Sequence, residues 1–175
     1  FIWFGTDWGL NSFDGNKFNR YINNPEDVHS LSDNGINKVL GDKKRNKVWI
    51  ATKRSGLNVY DGATGKINRY PVMEHVKNST YAYGITDLCF DEQGDIWIAT
   101  YGNGLKKLLV DSDSIVHYSN FGINNYIWCV TDDKKGNLYI GHVDSGLTVF
   151  SLTDNTIKQF FSQPDNPQSP PSNAI

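Results

Sequence analysis

The chain contains only two cysteines, one methionine and six prolines in 175 residues. No run of it approaches the roughly 18 consecutive apolar residues that a membrane-spanning helix needs. Seventeen Lys and Arg against nineteen Asp and Glu give a net charge of −2, so no basic excess recommends nucleic acid or an anionic membrane surface as a partner. Two cysteines are too few for a disulfide framework. Cys89 and Cys129 both stand in apolar, strand-like runs and read as buried free thiols. What is abundant is glycine, at 16 residues, and aromatic side chains, at 13%.

Those residues fall in a pattern written four times. Ile2-Trp3-Phe4-Gly5-Thr6 is followed by Gly9-Leu10, and Val48-Trp49-Ile50-Ala51-Thr52 by Gly56-Leu57. Ile96-Trp97-Ile98-Ala99-Thr100 leads to Gly104-Leu105, and Leu138-Tyr139-Ile140-Gly141-His142 to Gly146-Leu147. A period of roughly 40–50 residues, built from short apolar runs and turn-formers, indicates a β-propeller with one four-stranded blade per repeat. In the third copy, Ile85 to Phe90 reads as the innermost strand and Gln93-Gly94-Asp95 as a hairpin. Ile96 to Thr100 is a strand covered on both faces. Leu105 to Leu109 and Ser114 to His117 complete the blade. Asn46 takes the hairpin position that glycine holds elsewhere, as a residue tolerant of positive φ. Trp3, Trp49 and Trp97 are expected to fill the gaps between blades.

The expected blades are 1–22 (partial, without its innermost strand), 36–71, 85–118 and 127–161, with 174–175 starting another. Residues 169–175 repeat the spacing of residues 30–36. The fold class is therefore all-β: roughly four blades of four antiparallel strands, expected to be a segment of a larger propeller of about seven blades. A closed four-bladed ring is the alternative.

The connector Asn24-Pro25…Ser30-Leu31-Ser32-Asp33-Asn34-Gly35-Ile36, followed by Val39, Asp42 and the run from Val48 to Asp61, resembles the two-component regulator propeller repeat. The resemblance spans essentially the whole chain, although the connectors before Ile85 and Ile127 lack the Ser-Leu-Ser pattern and His142 stands where Thr is usual. It implies the periplasmic sensor region of a Bacteroidetes hybrid two-component system. Such proteins carry two large propellers, a small β-sandwich, one membrane helix, and cytoplasmic histidine kinase and response-regulator modules. The implied ligand is an oligosaccharide and the implied partner a second copy of the sensor. Membrane anchoring would lie outside this segment. The segment itself is expected to be non-enzymatic, without cofactor or metal, and not to bind nucleic acid.

In a propeller, the loops joining second to third strands and those joining successive blades share one face, held rigidly by the blades. Sugars are bound by aromatic faces flanked by planar hydrogen-bonding groups. The candidate ligand residues on those loops are Trp8, Arg54, Tyr101, Asn103, His142 and Asp144, with Tyr81, Tyr83 and Tyr126 from the connectors. Trp128 is the most unusual, since it occupies the second place of an innermost strand, where Asn37 and Thr86 stand in other blades. Charged glycans would favour Arg54 and Lys53; neutral ones would favour Trp128 and the tyrosines. Two rival readings remain. A propeller lyase or hydrolase would need a His and acid pair such as His142 with Asp144, and a protein-interaction platform would present a flat aromatic patch.

Overall fold

A computed structural model describes residues 1–70, 84–118 and 124–175. Every regular element among them is a β-strand, fifteen in all. They form two compact units, residues 1–85 and 86–175.

The first unit holds two antiparallel sheets. Strands β1 (Ile2–Thr6), β2 (Gly9–Phe13) and β3 (Phe18–Tyr21) make a three-stranded sheet in sequence order. Strands β4 (Ile36–Asp42), β5 (Lys47–Thr52), β6 (Leu57–Asp61) and β7 (Ile67–Tyr70) make a four-stranded meander. The second unit repeats the meander twice. One sheet is β8 (Ile85–Phe90), β9 (Ile96–Thr100), β10 (Leu105–Leu109) and β11 (Ser114–His117). The other is β12 (Ile127–Asp132), β13 (Asn137–His142), β14 (Leu147–Ser151) and β15 (Ile157–Phe160). This is the β-propeller fold, in four sheets.

The second strand of each sheet explains the repeated motif. β9 is buried along its whole length and β5 from Val48 onward, which is why both faces carry apolar side chains. The small residue before the threonine answers a close approach. A Cβ on Gly5 would lie 2.5 Å from Ile36 Cγ2, so β1 can lie against β4 only because that side chain is missing. The threonine then closes the following loop: the Thr52 and Thr100 hydroxyls donate to the carbonyls of Gly56 and Gly104 at 2.7 and 2.6 Å. Hairpin chemistry is as read from the sequence, with Asn46 at φ 52°, Gly94 at 86° and Gly136 at 92°.

Trp49 and Trp97 are buried, at 0% and 1% exposure. Trp49 packs on Tyr70 of β7 at 5.5 Å and Trp97 on Tyr118, just after β11, at 4.9 Å between ring centroids. Trp3 departs from the expectation of a buried core residue. It lies between Tyr21 and Tyr60, at 5.7 and 4.8 Å, but is only half buried. The opposite face of its sheet is open, with Ile2, Phe4 and Phe18 exposed.

The cysteines also depart from expectation in part. Neither forms a disulfide, and Cys89 is half-buried and Cys129 exposed.

Connectors 22–34 and 161–173 fold alike. In the first, Asn23 N–H donates to Asn34 Oδ1, Asn24 N–H to Ser30 Oγ, and Ser30 Oγ to the Asp27 carbonyl. In the second, Ser162 N–H donates to Asn173 Oδ1, Gln163 N–H to Ser169 Oγ, and Ser169 Oγ to the Asn166 carbonyl. The Arg69 guanidinium clamps the first connector through the carbonyls of Asp27, Ser30 and Leu31.

Candidate functional site

The predicted ligand residues fall into two groups, one in each unit. In the second unit, the last connector residues are stitched to two loops. Gly102 and Gly104 N–H groups donate to the Asn125 carbonyl at 2.8 and 3.1 Å, and Val143 N–H donates to the Tyr126 carbonyl at 3.1 Å. Asn124 accepts from Tyr126 N–H through Oδ1 and donates from Nδ2 to Ser145 Oγ at 2.6 Å and to Asp144 Oδ1 at 3.4 Å. An isolated bridge pairs Tyr101 with Tyr126. The backbone beneath the aromatic side chains is therefore fixed by hydrogen bonds rather than by the side chains themselves.

Three of the predicted residues meet on this base. Tyr101 stands edge-on to Tyr126 at 5.2 Å and tilted against Trp128 at 5.9 Å. Tyr126 is 45% and Trp128 49% exposed, so two large rings offer faces to solvent while held by a third. Trp128 owes its position to a β-bulge: the pairing of β12 with β13 shifts between Ile127 and Cys129, leaving residue 128 as the extra one. The same irregularity sits at Asn37 in β4. There the Asn37 amide donates to the Ile85 carbonyl, and in β8 the Thr86 hydroxyl donates to the Ile127 carbonyl. An indole with the same backbone placement cannot reproduce a short amide's bond, and it projects as surface. Asn103 lies half-buried and Asp144 exposed on the flanking loops.

His142 does not join them, and its place as a ligand residue is corrected. It is fully buried, with Nε2 2.8 Å from Thr148 Oγ1. Burial holds its imidazole below the usual histidine range, against the opposing pull of the Tyr126 backbone and the Asp144 charge. Where Thr52 and Thr100 bond a loop carbonyl, the His142 imidazole meets Thr148 instead. The exposed His and acid pair that a lyase reading required is thereby lost.

In the first unit, Trp8 is 80% exposed on the two-residue turn between β1 and β2, and Arg54 is exposed on the β5–β6 loop. Lys53 is tied to Asp7 in an ion pair, which leaves Arg54 as the guanidinium presented beside it. Tyr81 and Tyr83 lie outside the described residues.

The sequence reading passed over Asn124 and Asn125, which organise the second group. A signal was available: asparagine stands two residues before the first residue of an innermost strand at Asn34 and Asn125, and Asn173 stands two before Ile175.

Residues 82–102 and 122–144 match the two-component regulator propeller family model. The chain thus carries two-component regulator propeller repeats. It is similar to the extracellular domain of a protein from Bacteroides thetaiotaomicron described as a hybrid two-component system, with 32% identity and a TM-score of 0.78 over 90% of this chain and 23% of that one. A second such extracellular domain from the same organism gives 22% identity and a TM-score of 0.82, over 99% of this chain and 22% of that one. Virginiamycin B lyase from Staphylococcus aureus shares the fold, at 17% identity and a TM-score of 0.65 over 96% of this chain and 54% of that one. The chain spans less than a quarter of the length of the two Bacteroides structures. No curated protein matches it.

Proposed function

We propose that this chain is part of the extracytoplasmic sensory region of a hybrid two-component system and that it recognises an oligosaccharide without transforming it. The observation that carries the reading is the Tyr101, Tyr126 and Trp128 cluster, whose outer rings are about half exposed on a hydrogen-bonded base. Exposed rings held in fixed orientation lose little entropy on stacking against a sugar, and Asn103 and Asp144 on the flanking loops offer polar groups for its hydroxyls. Similarity to extracellular domains of hybrid systems supports the location. The signal would pass to a kinase elsewhere in the parent protein through a change in how two copies associate, because packed sheets resist internal rearrangement.

Calorimetric titration with neutral and charged oligosaccharides tests the reading. Saturable binding with the saccharide recovered unchanged is expected, with Trp128→Ala and Tyr126→Ala each weakening affinity by about tenfold or more, roughly 1.4 kcal/mol. Affinity unaltered in both variants, or turnover of the saccharide, would overturn it. A charged glycan as ligand predicts an additional loss in Arg54→Ala.

A further inference from the structure

The end of the second unit remote from Tyr101 and Trp128 holds a cavity of about 300 Å³ between its two sheets. Its chemistry follows from one substitution within the repeat. In the β4–β7 sheet the innermost strand ends at Asp42, whose Oδ2 lies 3.5 Å from Trp49 Nε1. The residue across from Trp49 on the next strand is Val59. In the β8–β11 sheet the corresponding residues are Asp91, Trp97 and Lys107, the last paired across from Trp97. Lys107 Nζ lies 2.6 Å from Asp91 Oδ2 and 3.6 Å from Asp95 Oδ2, and it stands over the Trp97 ring at 5.2 Å. The lysine has taken the carboxylate that would answer the indole. Trp97 is 1% exposed, and its Nε1 has no hydrogen-bond partner among the described residues.

A buried donor without an acceptor is costly, so an oxygen from outside the fold is favoured there. The cavity wall narrows what can bring it. Three carboxylates, Asp91, Glu92 and Asp132, and one ammonium, Lys107, line it, so a further negative charge is disfavoured. An apolar molecule would leave the indole N–H unanswered. A neutral hydroxyl satisfies both sides, since its oxygen accepts from Trp97 and its hydrogen goes to a carboxylate. A neighbouring hydroxyl can repeat the exchange, with its carbons lying along Tyr118 and Phe150. We propose that this cavity is a second binding site of the chain, for a neutral vicinal diol of the kind carried by a polyol or an uncharged saccharide unit.

The first unit supports the assignment independently. Its cavity of about 400 Å³ occupies the same place in the repeat and is bordered by Trp3 and Ser12. Ser12, paired across from Trp3, is fully buried with its hydroxyl also lacking a partner among the described residues.

The test reads the Trp97 indole proton by NMR in the whole chain, its resonance identified by its loss in Trp97→Phe while the other four of the five tryptophans report that the fold is intact. Xylitol, a neutral methyl glycoside and the matching methyl glucuronide are titrated in turn. The proposal expects a saturable shift with xylitol, the neutral glycoside or both, and none with the glucuronide. Response to xylitol alone assigns a polyol site; response to the glycoside alone assigns a saccharide site. Lys107→Val, which restores the arrangement of the second sheet, should return Asp91 to the indole and weaken the response about tenfold or more. No saturable shift with any neutral diol would overturn the proposal and assign the cavity to resident water. An undiminished shift in Lys107→Val would overturn it as well. Trp128→Ala leaves the response intact; its loss there would place the binding at the loop face and refute a second site.

Discussion

His142 and Thr148 meet in the interior, where their counterparts Thr52 and Asn58 bond loop and connector backbone, and that exchange has a titration attached to it. Burial depresses the folded imidazole below 6.5, its ordinary value. Above that pH neither the folded nor the unfolded chain holds the proton, and the full stability is present. As pH falls below it, the unfolded chain takes up a proton that the folded one refuses, and stability declines until the folded pKa is passed. Urea midpoints compared at about pH 7.5 and about pH 5.5 should fall, and His142→Thr should flatten that fall. The cysteines give a second residue-scale outcome. Burial, reinforced by Asp87, pushes the Cys89 thiol up to about 12, while Cys129 is exposed. A thiol reagent near neutral pH should label Cys129 readily and Cys89 only on unfolding, as peptide mass mapping would show. Neither contrast could be read from the sequence, because both cysteines sit in apolar runs and only the packing of Cys89 against the Trp97 cluster separates their surroundings.

At the scale of elements, the repeat was legible wherever one residue type answers one geometric demand. Gly5, Ala51 and Ala99 stand where sheets approach, Asn46 and Gly94 where φ is positive, and Trp49 and Trp97 where a gap must be filled. The candidate site was legible only in part. Tyr101, Tyr126 and Trp128 could be named, but not that they touch, since their meeting depends on Asn124 and Asn125 backbone bonds that no local pattern announces. The connectors were legible as spacing and not as structure, and their strength rests on Arg69. Arg69→Ala should lower stability by about 1–2 kcal/mol in urea denaturation, and Arg69→Lys should not restore it. A lysine carries the charge but not the fork that reaches the carbonyls of Asp27, Ser30 and Leu31 together.

At the scale of the whole molecule, two units each carry their own apolar cluster. One is centred on Leu10, Leu31, Ile36 and Ile50, the other on Trp97, Ile127, Leu138 and Phe150. A cavity cut into one cluster should be felt first in its own unit. Ile50→Ala, cut into the first cluster, is expected to cost about 2–5 kcal/mol. Hydrogen exchange should then quicken across β4–β7, while the amides of β9 and β13 keep their protection.

The matching bonds of connectors 22–34 and 161–173 bear on how such a chain can change over time. Two junctions with the same internal wiring are interchangeable seams, so the stretch between them can be swapped, duplicated or deleted in whole modules while the joints remain satisfied. Variation would then accumulate in the loops and bulges that each module displays, and new recognition surfaces would arise by recombination of finished parts rather than by rebuilding the scaffold.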